Sequence, residues 1–268
     1  MTASQAEELH GRCELLRSLH RPGAPLLLPN AWDVATARAV VAAGFPVVAT
    51  TSGGVAPALG YEDHEGAPAD EMFAAAARIA RGVEVPVTVD AEAGYGMEPA
   101  ELVDALRSAG AAGCNLEDTD QPARRTSGER TLVPVDVQAE RLAAVKQAGR
   151  DAGVDIVLNA RIDCWVLGLD DRDVLIETSV ERGRAYLAAG ADCVYPIGAA
   201  DEDDLRAIVA GVGGPVNVYL RKGIPDLDTL QRIGVARASM GSGLFKIAHG
   251  AIADAAARIR QGDLSVLG

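Results

Sequence analysis

Short apolar runs alternate with longer alanine-rich segments along the whole chain. The runs are nearly continuous in apolar residues, which is typical of parallel strands covered on both faces. The segments between them carry apolar residues at helical spacing and often end near glycine. The pattern predicts strands at 26–30, 47–51, 85–90, 113–118, 155–161, 192–197, 215–220 and 236–240.

The segments between the strands predict helices, which an amphipathic lead-in helix at 3–20 precedes. The others span 32–44, 69–82, 98–110, 136–153, 172–190, 201–211, 226–234 and 244–261. Helix N-caps are expected at Asn30, Asp136, Asp201 and Asp226, and Pro99 suits a first helical turn.

Strands that alternate with helices pair in parallel through right-handed crossovers. The chain holds eight such units in a length typical of a (β/α)8 TIM-type barrel, so we predict this α/β fold. A doubly wound sheet is the alternative, but it normally carries G-x-G-x-x-G after its first strand, where this chain has L-P-N-A-W-D. No composition break marks a linker, and a single domain over 1–268 is expected.

Composition and charge narrow the class of partner. The 268 residues are 49% hydrophobic, enough for a large core, and the formal net charge is −13. That charge disfavours nucleic acid or an anionic membrane as a partner, although local groups can still bind an anionic substrate. The first residues lack a signal-peptide pattern, and no apolar run could span a bilayer. The cysteines are scattered, which favours the cytoplasm and no zinc site: Cys13, Cys114, Cys164 and Cys193.

The stretch 87–96, V-T-V-D-A-E-A-G-Y-G, is the strongest candidate for chemistry. Alternation along a strand places Asp90 and Glu92 on one face at the strand end. Two carboxylates there repel each other unless a cation lies between them, and Mg²⁺ prefers oxygen ligands while keeping waters for a substrate. The alternative is a pair of solvated acids in a loop.

In a barrel the other strand ends would converge on the same mouth. They bring the acids Glu117 and Asp118, and Arg161 with Asp163 in N-A-R-I-D. An arginine there could bind a carboxylate or phosphate through its fork, or serve as a structural partner of the acids. After the second strand, Ser52-Gly53-Gly54 could cradle an oxyanion or form a plain turn. Each signal alone is weak, but their convergence favours a metal.

The segment 119–133, T-D-Q-P-A-R-R-T-S-G-E-R-T-L-V, is long and polar. A long loop is often a lid, and this one could bring Arg124 and Arg125 over the mouth. A mobile surface loop is the alternative. His64 would lie near the mouth, whereas no Ser-His-Asp or Cys-His arrangement is visible.

Taken together in this order, the motifs resemble the isocitrate lyase/phosphoenolpyruvate mutase superfamily. They are P-N-A-W-D at 29–33, T-T-S-G-G at 50–54, L-G-Y-E-D at 59–63, D-A-E-A-G-Y-G at 90–96, N-L-E-D at 115–118, N-A-R-I-D at 159–163 and R-A-S-M-G at 237–241. The resemblance implies a (β/α)8 barrel whose last helix is exchanged within a homodimer or homotetramer. It also implies Mg²⁺ or Mn²⁺, a 2-oxo or 2-hydroxy acid substrate, and an enolate-like pyruvyl intermediate.

By the same resemblance, the metal shell comprises Asp90, Glu92, Glu117 and Asp63, some of them acting through water. Ser52, Gly53, Gly54, Asp90 and Arg161 are the groups implied to bind the substrate. Catalytic roles fall to Arg161, Asp63 and Ser52. Glu92 stands where many members have aspartate.

The sequence differs from the known subclasses of this superfamily in one loop. The isocitrate and methylisocitrate lyases carry a loop K-[KR]-C-G-H, and the phosphonate enzymes carry a loop lysine and asparagine. This chain has A-R-R-T-S-G-E at 123–129, with neither the cysteine and histidine of the lyases nor the lysine and asparagine of the phosphonate enzymes, although Asp63 is retained. The pattern favours a Mg²⁺-dependent lyase or decarboxylase acting on a small 2-oxo or 2-hydroxy acid, with Ser127 or Tyr61 as weak candidates for protonating the product. The alternatives are a phosphonopyruvate-type mutase or hydrolase and a non-catalytic 2-oxo-acid binder.

Overall fold

The computed structural model describes residues 3–267, so the ends of the predicted domain 1–268 lie outside the described part. The strands are short and parallel. They are β1 Leu26–Leu28, β2 Asn30–Ala31, β3 Val48–Thr50, β4 Val87–Asp90, β5 Gly113–Glu117, β6 Val157–Ile162, β7 Cys193–Pro196, β8 Asn217–Tyr219 and β9 Arg237–Ser239.

Helices separate most of the strands and surround them. They are α1 Ala3–Ser18, α2 Val34–Ala42, α3 Ser52–Leu59, α4 Ala69–Arg81, α5 Pro99–Ala109, α6 Gln121–Ser127, α7 Val135–Asp151, α8 Cys164–Leu167, α9 Arg172–Ala188, α10 Glu202–Val212, α11 Leu227–Ile233 and α12 Gly243–Arg260, followed by a short 3-10 helix, Ser265–Leu267. None of the helices in the described part is long and apolar enough to cross a membrane.

The strands form two sheets that meet at both ends. One sheet has the order β2-β3-β4-β5-β6-β7 and the other has β1-β9-β8. A parallel bridge between Val194 and Val216 joins β7 to the start of β8, and only Pro29 separates β1 from β2. Counting β1 and β2 as one interrupted strand, eight strands surround one core, as the sequence predicted.

The predicted helices and strands are confirmed with small shifts of their ends. Capping residues explain where several of the helices begin. Helix α5 begins with a capping box between Glu98 and Glu101 and has Pro99 in its first turn. Asp201 and Asp226 cap α10 and α11 through their side chains, as predicted.

Three predictions about local structure are wrong. The N-cap of α2 is Asp33, whose Oδ1 accepts from the Thr36 N–H at 2.7 Å, while Asn30 lies within β2. There its side chain donates to Thr50 O and accepts from Met240 N–H, because a barrel brings its first, second and last strands together. Pro134 occupies the N-cap position of α7 without a side-chain hydrogen bond, and Asp136 lies in the first turn of that helix. The supposed loop 119–133 contains helix α6, which Asp120 caps through its side chain.

Most of the core is apolar, but the buried polar side chains of Asn115, Asn159 and Arg237 bond to one another within it. The four cysteines are buried and free, in keeping with the absence of any predicted disulfide. Helix α1 is held at the amino-terminal ends of the strands, where Arg17 bonds to Asp192 at 2.7 Å and pairs with Asp155 at 2.9 Å. The carboxyl ends of the strands are therefore left free to form the mouth.

Candidate active site at the carboxyl ends of the strands

Asp90 ends β4 and is tied to the neighbouring strand. Its backbone N–H donates to Thr50 Oγ1 at 2.9 Å, and its Oδ2 accepts from the Ser52 N–H at 2.9 Å. The other carboxylate oxygen, Oδ1, is buried and has no hydrogen-bond partner among residues 3–267. Because a buried acceptor without a donor is costly, Asp90 Oδ1 is suited to a cation or a water that a cation holds.

Ser52-Gly53-Gly54 begin helix α3 instead of forming an isolated turn. The Ser52 N–H donates to Asp90 and the Gly54 N–H to Thr51 O, whereas the Gly53 N–H has no acceptor among the described residues. The first N–H groups of a helix carry partial positive charge, so this one can bind an oxyanion. Asp63 reaches this point from the following loop. A Cβ at position 53 would lie 3.0 Å from Asp63 Oδ2 and 3.3 Å from Ser242 Cβ, so glycine is needed for this close approach.

Glu92 lies in the turn after β4, where both of its carboxylate oxygens already have protein donors. Oε2 accepts from the Glu65 N–H at 2.5 Å, and Oε1 accepts from the Tyr95 hydroxyl at 2.6 Å. Burial raises the pKa of Glu92 to about 7, although the Tyr95 hydrogen bond opposes the shift. Any contribution of Glu92 to a metal would therefore pass through water.

Backbone strain is concentrated in the same network. Among the described residues, four that are not glycine have positive φ: His64, Glu65, Glu92 and Tyr95. Three of them bond to one another, since Tyr95 N–H also donates to Glu65 Oε1 at 2.6 Å. Strain of this kind persists where the surrounding contacts fix the backbone, and it is frequent at functional sites.

Arg161, near the end of β6, is clamped between two acids. Its Nε and Nη2 donate to the two oxygens of Asp163 at 2.6 and 3.0 Å, and Nη1 lies 2.8 Å from Glu117 Oε2. Burial opposes the charged form, but Asp163, Glu117 and Asp90 raise the pKa of Arg161 above its ordinary value. A guanidinium has five N–H donors, so these bonds leave one on each Nη for a ligand oxygen.

Helix α6 lies beside the mouth and is attached at two points. Gln121 Nε2 donates to Glu117 Oε1 at 2.8 Å, and Arg125 Nη1 donates to Glu65 Oε2 at 2.9 Å. The Glu65 side chain is 1% exposed, whereas that of Arg125 is 50% exposed. The bond therefore joins an exposed arginine of α6 to a buried carboxylate, and it attaches α6 to the segment that follows α3.

The residues proposed from sequence thus fall into two groups. In the first group, Asp90 and Arg161 keep polar groups that the described residues do not engage, Ser52 bonds to Asp90, and Gly53 lies against Asp63. Glu92 and Glu117 have both oxygens engaged by protein donors. Gly54 is buried against Trp32 and Phe245, so its backbone lies behind this surface.

Other acids and hydroxyls near the mouth have structural partners. Asp118 is fully buried and accepts from Arg182, the Tyr186 hydroxyl and the Asp163 N–H. The Tyr61 hydroxyl donates to Glu71 at 2.7 Å, and Ser127 Oγ donates to Ala123 O at 2.9 Å. Each of these oxygens is therefore engaged within its own local structure.

The residues at the mouth could bind a divalent cation mainly through the unpartnered carboxylate oxygen of Asp90. No group of three or more His, Cys, Asp or Glu side chains within residues 3–267 is close enough to form a complete protein cage. Asp90 Oδ1 is nevertheless unpartnered, and other carboxylates lie nearby. One direct carboxylate with several waters is the arrangement that Mg²⁺ favours, so these residues fit that ion.

The sequence did not single out Glu65, Tyr95 and Gln121. Glu65 stands in D-H-E-G with no apolar strand before it, and Gln121 lies in a segment predicted as a loop. No local pattern marks them, because their role arises only when the segment after α3 meets the turn after β4 and helix α6.

Comparisons with known proteins agree with this geometry. The family model described as phosphoenolpyruvate phosphomutase matches residues 16–260. A probable 2-methylisocitrate lyase 1 of Corynebacterium glutamicum is 31% identical over 255 residues, which cover 87% of this chain and 77% of that protein. Oxaloacetate decarboxylase 2 of Pseudomonas fluorescens is 29% identical over 211 residues, covering 77% of this chain and 69% of that protein.

Solved structures share the fold. A putative phosphonomutase from Burkholderia cenocepacia is 40% identical with a TM-score of 0.83, covering 91% of this chain and 98% of that chain. Oxaloacetate acetylhydrolase with the product oxalate is 26% identical with a TM-score of 0.81, covering 96% of this chain and 89% of that chain. A phosphonopyruvate hydrolase solved with oxalate and Mg²⁺ is 24% identical with a TM-score of 0.79, covering 94% of this chain and 87% of that chain, and it supports the fold alone.

Proposed function

The chain belongs to the phosphoenolpyruvate phosphomutase family of the isocitrate lyase superfamily, and from that premise we propose that it is a Mg²⁺- or Mn²⁺-dependent carbon–carbon lyase or decarboxylase. Its substrate would be a small 2-oxo or 2-hydroxy acid with one or two carboxylates. The observation that carries the proposal is Asp90 Oδ1, a buried carboxylate oxygen without a partner, beside an arginine with two donors to spare.

Asp90 would hold the cation directly, and Glu92, Glu117 and Asp63 would hold its waters. The cation supplies a Lewis acid that polarises the 2-oxo group. The engaged oxygens of Glu92 and Glu117 support this division, because each keeps hydrogen bonds that a direct metal bond would have to displace.

Arg161 would bind the substrate carboxylate through the two N–H groups that Glu117 and Asp163 leave free. In decarboxylation of a 2-oxo diacid, the bond to the leaving carboxylate breaks and its electron pair forms the enolate, which then takes a proton from water. The Gly53 N–H and the Ser52 hydroxyl would donate to the oxygen on which negative charge develops. Neither role needs the loop cysteine of the isocitrate lyases.

Helix α6 would cover the mouth and exclude water from the enolate. Its bonds from Arg125 to Glu65 and from Gln121 to Glu117 support the closed position. Glu117 bonds both to Gln121 of helix α6 and to Arg161, the proposed substrate-binding residue. Closure of α6 and binding of the substrate would therefore depend on each other.

A phosphorus–carbon mutase or hydrolase is the second candidate. The 40% identity to a putative phosphonomutase favours it, as does the position of Asp63 Oδ2 beside Gly53, where a carboxylate could orient water or attack phosphorus. Against it, segment 123–129 lacks the lysine and asparagine of the phosphonate enzymes.

The discriminating experiment is a substrate panel with Mg²⁺ that measures pyruvate and phosphate separately. Oxaloacetate, methylisocitrate, citramalate-like acids and phosphonopyruvate cover both candidates. We expect turnover of a carbon–carbon substrate without release of phosphate. Faster turnover of phosphonopyruvate than of any carbon–carbon substrate would support the second candidate, and binding without turnover would indicate a non-catalytic binder.

The metal is tested apart from turnover by Mn²⁺ binding followed by electron paramagnetic resonance. Asp90→Asn keeps the size of the side chain and the bond from Ser52, but removes the charge. We expect Mn²⁺ binding to be lost in this variant and kept in Asp70→Asn, an exposed acid in the first turn of α4. Tight Mn²⁺ binding by Asp90→Asn would refute the assignment.

We also propose a homodimer or homotetramer assembled through α12, and a single domain in the cytoplasm. Helix α12 has no buried residue among those described, and Ile247 and Ile252 are 69% and 63% exposed. An 18-residue helix with such side chains in water favours a partner surface. Four free, buried cysteines suit a reducing compartment.

A further inference from the structure

We propose that a second cavity, on the outer side of the mouth, binds a small apolar α-amino acid. It has a volume of about 530 Å³ and lies between the turn after β4, the segment after β5, and helices α6 and α7. Cavities of this size commonly hold small molecules. None of Ser52, Gly53, Asp63, Asp90 and Arg161 lines it, so it is separate from the proposed catalytic site.

Two arginines line the cavity, Arg125 on α6, which bonds to Glu65, and Arg141 on α7. The Arg141 guanidinium packs against the turn after β4, where a Cβ at Gly94 would lie 2.5 Å from Nη2. Arg141 is partly buried, and burial lowers its pKa while Glu65 and Glu98 oppose the shift. Within residues 3–267 its guanidinium makes no hydrogen bond and no close ion pair, so its N–H donors are left for a ligand, although the carboxylates of Glu65 and Glu98 are near enough to favour its charge.

The nearby buried acid Glu65 makes its own hydrogen bonds to groups other than Arg141. Glu65 also lines the cavity, but its Oε2 is bound by Arg125 at 2.9 Å and its Oε1 accepts from the Tyr95 N–H at 2.6 Å. Arg125 therefore holds the direct bond to this carboxylate, and Arg141 feels only its charge. A ligand carboxylate would complete the pairing on Arg141 through two parallel N–H bonds.

The acids at the rim select against a simple anion. Glu98 caps α5 and Asp120 caps α6, whereas Glu140 is exposed and has no ion-pair partner among the described residues. Glu140 and Arg141 are consecutive in the chain and line the same cavity. An unpaired acid beside an unpaired base matches an amino acid, whose ammonium and carboxylate are held on one carbon.

The rest of the wall is apolar, which suits an apolar side chain on the ligand. Met97, Pro99, Val133 and Val137 line it, and Val137 is 50% exposed as the structure stands. Covering such a side chain would remove apolar surface from water. The wall therefore favours a branched aliphatic amino acid over a polar one.

The cavity is connected to the mouth through its floor. Gln121 and Gln138 line it, and their amide nitrogens donate to Glu117 Oε1 at 2.8 Å and to Glu117 O at 3.1 Å. Arg125, on the opposite side, belongs to α6. A bound ligand would therefore contact the two glutamines that bond to Glu117 and also Arg125 on α6, the helix beside the mouth. Through these contacts, binding at the cavity could change the activity of the catalytic site.

The test is calorimetric titration of the full chain with L-leucine. We expect one bound leucine per chain, and binding weaker by about tenfold or more in Arg141→Met, because a charge-assisted pair is lost. Arg150→Met is the matched control on the same helix, since Arg150 is exposed and bonds only to Gln147. It should bind leucine as the wild type does.

Two ligand analogues and a second variant complete the design. 4-Methylpentanoate lacks the amino group and 3-methylbutylamine lacks the carboxylate, and each should bind more weakly than leucine. Glu140→Gln, a surface change, should weaken leucine but not 4-methylpentanoate. No saturable binding of leucine to the wild type, equal binding by Arg141→Met, or equal binding of 4-methylpentanoate would overturn the proposal. Arg161→Ala should bind leucine normally, so failure of the proposed catalytic function would leave this result unchanged.

Discussion

The stability of the barrel should depend on pH through His20, which lies just after α1 and is 8% exposed. Its Nδ1 is 2.8 Å from Leu16 O, which can only accept, so Nδ1 carries the proton. The other nitrogen, Nε2, lies 3.4 Å from Arg237 Nη1 and accepts from it. Protonation of Nε2 would place two positive charges in contact in the barrel interior.

The direction and size of the effect follow from this geometry. Burial and the charge of Arg237 lower the pKa of His20 from 6.5 to about 4. Below pH 6.5 the unfolded chain binds a proton that the folded chain does not, so stability falls as pH decreases from 6.5 towards 4. Between about pH 7.5 and pH 5 the loss is about 2 kcal/mol, because the slope reaches about 1.4 kcal/mol per pH unit only well below pH 6.5, where the unfolded histidine is fully protonated.

The assay is urea unfolding at about pH 7.5 and pH 5, compared between the wild type and His20→Gln. Glutamine can donate to Leu16 O and accept from Arg237 but does not titrate. We expect the wild type to lose about 2 kcal/mol more than the variant over this interval. Burial raises the pKa of Asp118 to about 6, which acts in the opposite direction, but it acts equally in both proteins and cancels. Equal losses in the two proteins would refute the reasoning.

Three further predictions concern the mouth and the assembly. Arg161→Ala should lower kcat/KM for the best substrate of the panel by about two orders of magnitude or more, since the substrate carboxylate loses its donors. The control is Cys164→Ser, a change at a buried thiol, which should keep kcat/KM near the wild-type value. An unchanged kcat/KM in Arg161→Ala would contradict the proposed role of Arg161. Glu65→Gln should speed tryptic cleavage after Arg125 severalfold compared with Glu71→Gln, because the anchor of α6 is weakened, and equal cleavage rates would argue against a latch. The double variant Ile247→Glu and Ile252→Glu should reduce the mass measured by light scattering to that of a monomer, and a wild-type protein that is already monomeric at micromolar concentration would exclude assembly through α12.

Much of the fold was predictable because it is encoded locally. Each strand is a short apolar run, and most helices carry their own start and stop signals, such as Glu98 with Pro99 for α5. The count of units then implied a barrel. The failures were also local in origin: Asn30 looks like a cap in sequence, but its side chain is used between strands.

The candidate site was predictable as a set of positions but not as a set of bonds. Parallel strands bring their carboxyl ends to one edge, so Asp90, Glu117 and Arg161 could be grouped from their places in the sequence. Whether a carboxylate oxygen is open or engaged depends on groups distant in sequence. Glu92 is satisfied by Glu65, 27 residues away, and Glu117 is held by Arg161, 44 positions later.

The sequence by itself therefore determined the order of elements, the mouth and the kinds of side chain that meet there. Within residues 3–267, only the tertiary structure decided that Asp90 Oδ1 is unpartnered, that Arg161 keeps two free donors, and that the Arg141 guanidinium makes no hydrogen bond. The physical reason is that propensity and periodicity act over neighbouring residues, whereas hydrogen-bond satisfaction and desolvation are set by whichever groups the barrel brings within a few ångströms.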